Sequence, residues 1–205
     1  MKTAYHFNRN QNAALDELLE QRDLLRELIE DVYSVSGDTA ALLRNLPEDL
    51  PPEREAVIRT ACSLVGKVNY FWGGKSLVIG WDIRWGELRQ VTAAGNSTTG
   101  TYRPYGLDCS GFVDWVFYNA TNGSYVIGHG GEATMQHSYC TDIPWADAQP
   151  GDLVFYPDNS HVGIIGGRDA NGELLVIHCA SGYNNVVVTG ASGFASIGRP
   201  VYYTE

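Results

Sequence analysis

The stretch of sequence that decides the fold is Asp108-Cys109-Ser110-Gly111-Phe112-Val113-Asp114-Trp115-Val116-Phe117. Gly106 suits a turn and Asp108 is a residue type that caps helices, so the apolar run predicts a helix with Cys109 in its first turn. The partial positive charge at a helix N-terminus favours thiolate over thiol. The sequence therefore predicts a nucleophilic sulfur, and the Cys109 backbone N–H is well placed to help hold an oxyanion.

Two histidines follow in strand-like runs: His161 opens the run 161–165 and His178 ends the run 174–178. A thiol, a base and a group that orients the base are the parts that a cysteine hydrolase needs. We expect Cys109 to attack a carbonyl carbon, His161 to take the thiol proton, and His178 to orient the His161 ring.

The register of the two histidine strands tests this arrangement. Turn residues at 169–172 separate the strands, and a turn that pairs Gly167 with Gly172 places His161 directly opposite His178. Opposed side chains in an antiparallel pair share a face. A two-residue slip would leave the histidines diagonal on one face, and a one-residue slip would put them on opposite faces.

Composition excludes several classes of protein. The 205 residues are 44% hydrophobic and 19% charged, which indicates a globular domain with an appendage. A formal charge of −10 argues against nucleic acid as a partner. No apolar run reaches the roughly 18 residues of a membrane span. Residues 1–8 lack the apolar core of a signal peptide, so we expect either a piece of a longer exported protein or export by another route.

The chain order of patterns predicts an α+β fold. Residues 12–36 have the spacing of an amphipathic helix, residues 39–45 favour a second short helix, and prolines between 47 and 52 suggest a boundary. We therefore expect an N-terminal helical extension and linker over 1–52 and a main domain over 53–205. The extension either packs on the main domain or a partner helix, or links to an upstream region.

Within the main domain, helices come first and strands later, which is typical of α+β rather than alternating α/β proteins. A helix is predicted over 53–64, a long loop or small hairpin over 75–104, irregular structure over 124–147 and a turn at 149–152. The predicted strands are 153–156, 161–165, 174–178, 186–188 and 200–203.

The four cysteines are too few and too scattered for a disulfide scaffold. Cys62 has the spacing of a buried helix position, and a Cys140–Cys179 bridge stays open. No CxxC pair is present, and the other histidines match no common metal spacing. We expect neither a metal nor a cofactor.

Five motifs in order resemble the NlpC-type cysteine peptidases, bacterial peptidoglycan hydrolases with a papain-like fold, over about residues 54–203. They are Val65-Gly66-Lys67 through Tyr70-Phe71-Trp72-Gly73-Gly74, Asp108-Cys109-Ser110-Gly111-Phe112, Gln149-Pro150-Gly151-Asp152-Leu153-Val154-Phe155, Ser160-His161-Val162-Gly163-Ile164, and Ile177-His178.

The resemblance implies an antiparallel sheet packed against helices, with Cys109 as nucleophile, His161 as base and His178 as third member. It implies that Tyr70 is an active-site tyrosine and that Asp108 and Ser110 flank the nucleophile in the cleft. The candidate substrate-binding residues are Tyr70, Asp108, Ser110, Trp72 and Ser160.

The family typically cleaves peptidoglycan stem peptides, often between D-glutamate and the adjoining diamino acid, which implies an extracellular or cell-wall location. Residues 75–104 are longer than the usual link to the cysteine motif and are expected to border the cleft. Two other functions stay open: acyl transfer to or from lipids or amines, whose lipid-acting relatives usually carry the histidine before the cysteine, and an inactive wall-binding or assembly module.

Overall fold

The structure is a computed structural model that describes residues 39–203. The helix predicted over 12–36 lies outside the described residues. Residues 39–44 are helical, and Leu42 is buried in the main core. The compact unit that contains the described residues begins at Thr39.

Two helices form one layer of the unit. Helix α1 spans Pro52–Cys62 and helix α2 spans Cys109–Ala120, and the two pack against each other. Proline suits the first turn of α1, where a backbone N–H has no partner within the helix. Cys62 is buried at the end of α1, as predicted, and all four cysteines are free.

The excursion between the two helices, residues 75–104, contains a small hairpin, which is one of the two forms that the sequence predicts. Strand β1 (Leu88–Gln90) pairs antiparallel with strand β2 (Tyr102–Pro104). The loop between these strands lies beside the start of α2, because Ala93 and Ala94 line a cavity together with Cys109.

A six-stranded antiparallel sheet forms the second layer, so the predicted α+β fold is confirmed. The helices cover one face of the sheet, and a smaller apolar cluster that includes Phe194 covers the other. In spatial order the strands are β3 (Cys140–Asp142), β8 (Ser196–Pro200), β4 (Leu153–Phe155), β5 (Val162–Arg168), β6 (Leu174–Ala180) and β7 (Asn185–Gly190).

Two predicted segments differ from the structure. The segment 124–147 is not irregular throughout, because it contains the short helix α3 (Ala133–Ser138) and the edge strand β3. The last strand ends at Pro200, and Val201–Tyr203 is a turn of 3₁₀ helix instead of the predicted strand. The aromatic residues of that turn pack on Phe117 of α2, a tertiary contact that alternation in the sequence does not reveal.

A buried ion pair ties α1 to the turn that launches β4. Arg54 donates from Nη1 to Asp152 Oδ1 at 3.0 Å and to the Pro150 carbonyl at 2.7 Å. Arg199 donates from Nη2 to Asp152 Oδ2 at 3.0 Å. Gly151 adopts a φ of 93°, as the predicted turn requires. Since Asp152 is fully buried, its two guanidinium partners are needed to compensate its charge.

The register of β5 and β6 differs from the predicted one by two residues. Ile164 pairs with Ile177, and counting back along this ladder places His161 opposite Ala180. The predicted direct opposition of His161 and His178 is therefore wrong. The two histidines lie diagonally on one face, which is the outcome expected for a two-residue slip.

A β-bulge at Gly166 produces this arrangement. Between the turn and the bulge Arg168 pairs with Leu174, and the register shifts by one residue between Ile165 and Gly167. Without that shift His161 would lie opposite residue 181, and His178 would point to the other face. The single extra residue therefore puts the two histidines on the same side of the sheet.

Candidate active site

The cysteine lies at the start of a capped helix, as the sequence predicts. Asp108 has an extended backbone and accepts a hydrogen bond from Gly111 N at 2.6 Å. Its Oδ1 also accepts from the Ser110 hydroxyl at 3.0 Å. This cap satisfies an otherwise unpaired N–H of the first turn. It thereby fixes the start of α2, whose first residue is Cys109.

A lysine from the excursion supports this helix start. Lys75 Nζ donates to Ser110 Oγ at 2.7 Å, to Asp114 Oδ2 at 3.2 Å and to the Gly131 carbonyl at 3.1 Å. It also lies 3.6 Å from Asp108 Oδ1. Lys75 therefore joins the two carboxylates of this region to the loop before α3.

Gln136 completes the network from α3. Its buried amide nitrogen donates to the Ser110 carbonyl at 2.9 Å and to Asp114 Oδ1 at 2.8 Å. Burial raises the pKa of the Asp114 carboxyl to about 6, although Lys75 and the Gln136 amide oppose this shift. The start of α2 is thus held by charged and strongly polar partners.

The sulfur of Cys109 is almost fully enclosed, with 7% of the residue exposed. The backbone N–H groups of Val162 and Ser110 face the sulfur. Burial, assisted by the Asp108 carboxylate, raises the thiol pKa to about 11. The resting site therefore holds a neutral thiol rather than the predicted thiolate, because burial outweighs the helix N-terminus.

The two histidines meet in the structure. His161 Nε2 lies 2.6 Å from His178 Nδ1, which is a short hydrogen bond. His161 directly precedes Val162, the residue whose backbone N–H hydrogen-bonds to the Cys109 sulfur. On the far side of His178, Nε2 lies 3.0 Å from Thr189 Oγ1 on β7.

Aromatic side chains cover the histidine pair. The Phe194 ring lies 5.9 Å from the His161 ring and 5.6 Å from the His178 ring, and Tyr156 packs edge-on against His161 at 5.0 Å. Burial lowers the pKa of His161 to about 4. The pKa of His178 is lowered by burial and, secondarily, by His161. Both rings are therefore neutral near pH 7.

Two cavities open at the site, and each borders one part of it. The thiol-side cavity, of about 550 Å³, is lined by Cys109, Asp108, Ser110, Trp72 and Ser160, among others.

The imidazole-side cavity, of about 350 Å³, is lined by both histidines and by the tyrosine predicted for the active site. Trp72 and Ser160 line both cavities and thus mark the boundary between them. All eight predicted site residues therefore line one or both of these two cavities.

The predicted substrate-binding residues differ in whether their polar side-chain atoms are already hydrogen-bonded within the protein. Tyr70 forms a bridge with Leu107, and burial raises its hydroxyl pKa, with Cys109 and Asp108 adding to the shift. The Ser110 hydroxyl is engaged by Lys75 and Asp108, so this residue supports the helix start. Ser160 donates to the Pro157 carbonyl at 3.1 Å.

The excursion contributes walls to both cavities, as expected from its length. Trp72 donates from Nε1 to the Ala94 carbonyl at 2.9 Å, which ties the loop to the turn before Gly73. Ala93 and Ala94 then line the thiol-side cavity, and Asn96 lines the imidazole-side cavity.

A larger cavity of about 720 Å³ lies near Trp145, Arg168 and Glu173. None of the predicted site residues lines it. Its size alone therefore does not make it the site of chemistry.

Sequence reasoning missed Lys75, Gln136, Thr189 and Phe194, all of which contact the predicted residues. Thr189 is a polar residue closing an apolar strand, and the correct register would have pointed to it. Lys75 and Phe194 reach the site from distant loops and leave no local signal.

Comparison with known proteins agrees with the motifs. The model of the NlpC/P60 family matches residues 67–193. Over 140 residues, 66% of this chain, the sequence is 31% identical to a probable endopeptidase of Mycobacterium tuberculosis, of which it covers 26%. Over 123 residues it is 34% identical to the peptidoglycan endopeptidase RipB of M. tuberculosis, of which it covers 42%. The chain thus spans well under half of these relatives.

Two solved structures share the fold at a TM-score of 0.50. The P60 domain of an antigen from M. avium subspecies paratuberculosis is 24% identical and covers 72% of this chain and 93% of its own. RipD from M. tuberculosis, described as a non-catalytic NlpC/p60 domain protein adapted to peptidoglycan binding, is 19% identical over 72% of this chain and 96% of its own.

The fold and the cysteine helix define the class of α+β domains that carry a cysteine at the start of a helix packed on an antiparallel sheet. Within that class the chain belongs to the NlpC/P60 family. Among residues 39–203, no helix is both long and apolar enough to cross a membrane.

Proposed function

We propose that this chain is a cysteine endopeptidase that hydrolyses peptide bonds in peptidoglycan stem peptides, between D-glutamate and the diamino acid, at the cell wall. The observation that carries the proposal is the 2.6 Å contact of His161 with His178, whose cavity shares Trp72 and Ser160 with the cavity that Cys109 lines. The names of the endopeptidase relatives support the substrate class.

The proposed reaction uses the ring nitrogen of His161 that His178 leaves free. Nδ1 takes the thiol proton as the Cys109 sulfur attacks the carbonyl carbon, and it then delivers that proton to the departing amine. A water molecule next attacks the thioester, gives its proton to Nδ1 and releases the acid, and the proton returns to sulfur. No metal is needed to balance these steps.

Acyl transfer also requires hydrogen-bond donors for the negative oxygen, and the start of α2 supplies them. The N–H groups of the first helical turn point outward, and the one on Cys109 is not used by the Asp108 cap. Such donors stabilise the negative oxygen that develops during attack.

A binding-only role, as described for RipD, is the natural rival. The presence of Cys109, His161 and His178, with the two histidines hydrogen-bonded to each other, favours catalysis over that role. The cleavage experiment described next decides between the endopeptidase activity and the binding-only role.

The experiment incubates the purified chain with defined muropeptides and detects new amine termini by mass spectrometry. Cys109→Ala should lower turnover by at least about 10⁴-fold, as loss of a nucleophile does. Cys62→Ala, a buried cysteine of α1, serves as the matched control and should keep cleavage. Cleavage that persists in Cys109→Ala would refute the nucleophile, and absence of cleavage in the wild-type chain would refute the activity.

A further inference from the structure

Thr189 is placed to control the proton positions of both histidines. It lies on β7, where it pairs with Val176 of β6, and its half-buried side chain reaches His178 across the sheet. His178 Nε2 and Thr189 Oγ1 are 3.0 Å apart, and Thr189 Oγ1 and the Gly190 carbonyl oxygen are also 3.0 Å apart.

The direction of these hydrogen bonds follows from what each group can donate. A carbonyl oxygen only accepts, so the single hydroxyl proton of Thr189 goes to Gly190. The hydroxyl oxygen can then only accept from His178, which requires the His178 proton on Nε2. A neutral imidazole carries one proton, so Nδ1 of His178 is an acceptor.

The same logic extends to the next ring. His161 must donate from Nε2 to the His178 Nδ1 acceptor at 2.6 Å. The remaining nitrogen of His161, Nδ1, then carries a lone pair. This is the form of imidazole that can accept a proton from a thiol.

We propose that Thr189 is a positioning residue that holds His178 as the Nε2–H tautomer and thereby keeps the lone pair of His161 on Nδ1. The catalytic consequence rests on the proposed function, whereas the tautomers themselves do not. Without the Thr189 acceptor, His178 gains access to the Nδ1–H tautomer, which donates to His161 Nε2. His161 would then carry its proton on Nδ1 and lose its basic nitrogen toward sulfur.

Histidine ¹⁵N NMR of the full chain at neutral pH tests the tautomers directly, because protonated and bare ring nitrogens have different shifts. In the wild-type chain, Nε2 should be protonated and Nδ1 bare in both rings. A proton on His161 Nδ1 in the neutral wild-type protein would overturn the proposal before any variant is made.

Two variants then separate the hydroxyl from the shape of the side chain. Thr189→Val keeps the shape and removes the acceptor, so the His178 and His161 signals should shift toward a mixture of tautomers. Thr189→Ser keeps the hydroxyl and should retain the wild-type spectrum. An unchanged spectrum in Thr189→Val would overturn the assignment, and so would an equal change in both variants.

Kinetics supply the second readout. Thr189→Val should lower kcat about tenfold, which corresponds to about 1.4 kcal/mol, with little change in KM. Thr189→Ser should restore kcat to within about twofold of wild type. If the chain cleaves no muropeptide, the proposed function fails while the NMR result still decides the role of Thr189.

Discussion

The two parts of the site are held by different forces. The cysteine part depends on charged groups, because Asp108, Ser110, Lys75 and Asp114 form a connected polar network at the start of α2. The histidine part is neutral and is enclosed by aromatic rings, with Phe194 in contact with both imidazoles.

This difference determines how each part responds to its surroundings. The polar network depends on the ionisation of Asp114, whose pKa is raised to about 6. The histidine part depends on the exclusion of water, which lowers the pKa of His161 to about 4. Changes of pH should therefore affect the two parts in different ranges.

The largest effect is expected from Phe194→Ala. Removing this buried ring should cost about 3 kcal/mol of unfolding free energy, at the lower end for buried phenylalanine, as measured by chemical denaturation. Water admitted to His161 should also raise its pKa from about 4 toward the usual 6.5, as followed by NMR titration.

The sign of the pH effect follows from the lowered pKa. The neutral His161 ring contributes stability above its unfolded pKa, and this contribution is lost as the pH falls from about 6.5 toward 4. Phe194→Ala should weaken that dependence, whereas Phe194→Leu, which keeps most of the packing, should retain it. If the pKa of His161 stayed near 4 in Phe194→Ala, burial by the Phe194 ring would not be the cause of the lowered pKa.

A smaller effect is expected in the polar part from Lys75→Met. The variant leaves the Asp114 carboxylate, whose side chain is 2% exposed, without its ammonium partner. The expected loss of unfolding free energy is about 2 kcal/mol at pH 8. This is less than the ~3–5 kcal/mol for breaking a fully buried ion pair, because Lys75 is partly exposed.

The loss of unfolding free energy in Lys75→Met should be smaller at pH 5 than at pH 8. Asp114 has a raised pKa, so its protonated form is favoured in the folded state and the cost appears as the pH rises through about 6. Denaturation at the two pH values measures the difference. Lys67→Met, at an exposed lysine that donates to the Ser63 carbonyl, is the matched control and should change little at either pH. Equal losses at pH 5 and pH 8 would show that Asp114 ionisation is not involved.

The smallest effect is expected at the boundary between the two parts. Trp72→Phe removes the 2.9 Å hydrogen bond to the Ala94 carbonyl, worth about 1 kcal/mol. Hydrogen exchange of the 91–101 amides should become faster, while Trp81→Phe, an exposed position in the same excursion, should leave it unchanged. Exchange that is no faster in Trp72→Phe would mean that this bond does not anchor the loop.

Local signals in the sequence predicted much of this arrangement. The Asp108 cap, the apolar run of α2 and the turn at Gly151 are determined within a few residues, and the structure has each of them. The strands that carry the histidines were also found from their apolar runs.

The features that were missed depend on contacts between distant segments. The register of β5 and β6 depends on a bulge at Gly166, and the two adjacent glycines do not tell which of them, if either, is left unpaired. Lys75 and Phe194 act through loops whose course is set by tertiary packing. Thr189 became recognisable only when its neighbour across the sheet was known.

The bulge at Gly166 has a consequence for how this sequence can vary. Deleting one residue of β5 between His161 and the bulge, or one residue of β6 before His178, would rotate one imidazole away from the other, while the number of ladder hydrogen bonds would hardly change. Length changes in homologous chains should therefore collect in the exposed turn at 169–173, or occur in the strands as compensating pairs. A related chain with a single uncompensated deletion within β5 or β6 would keep the fold and lose the contact between His161 and His178.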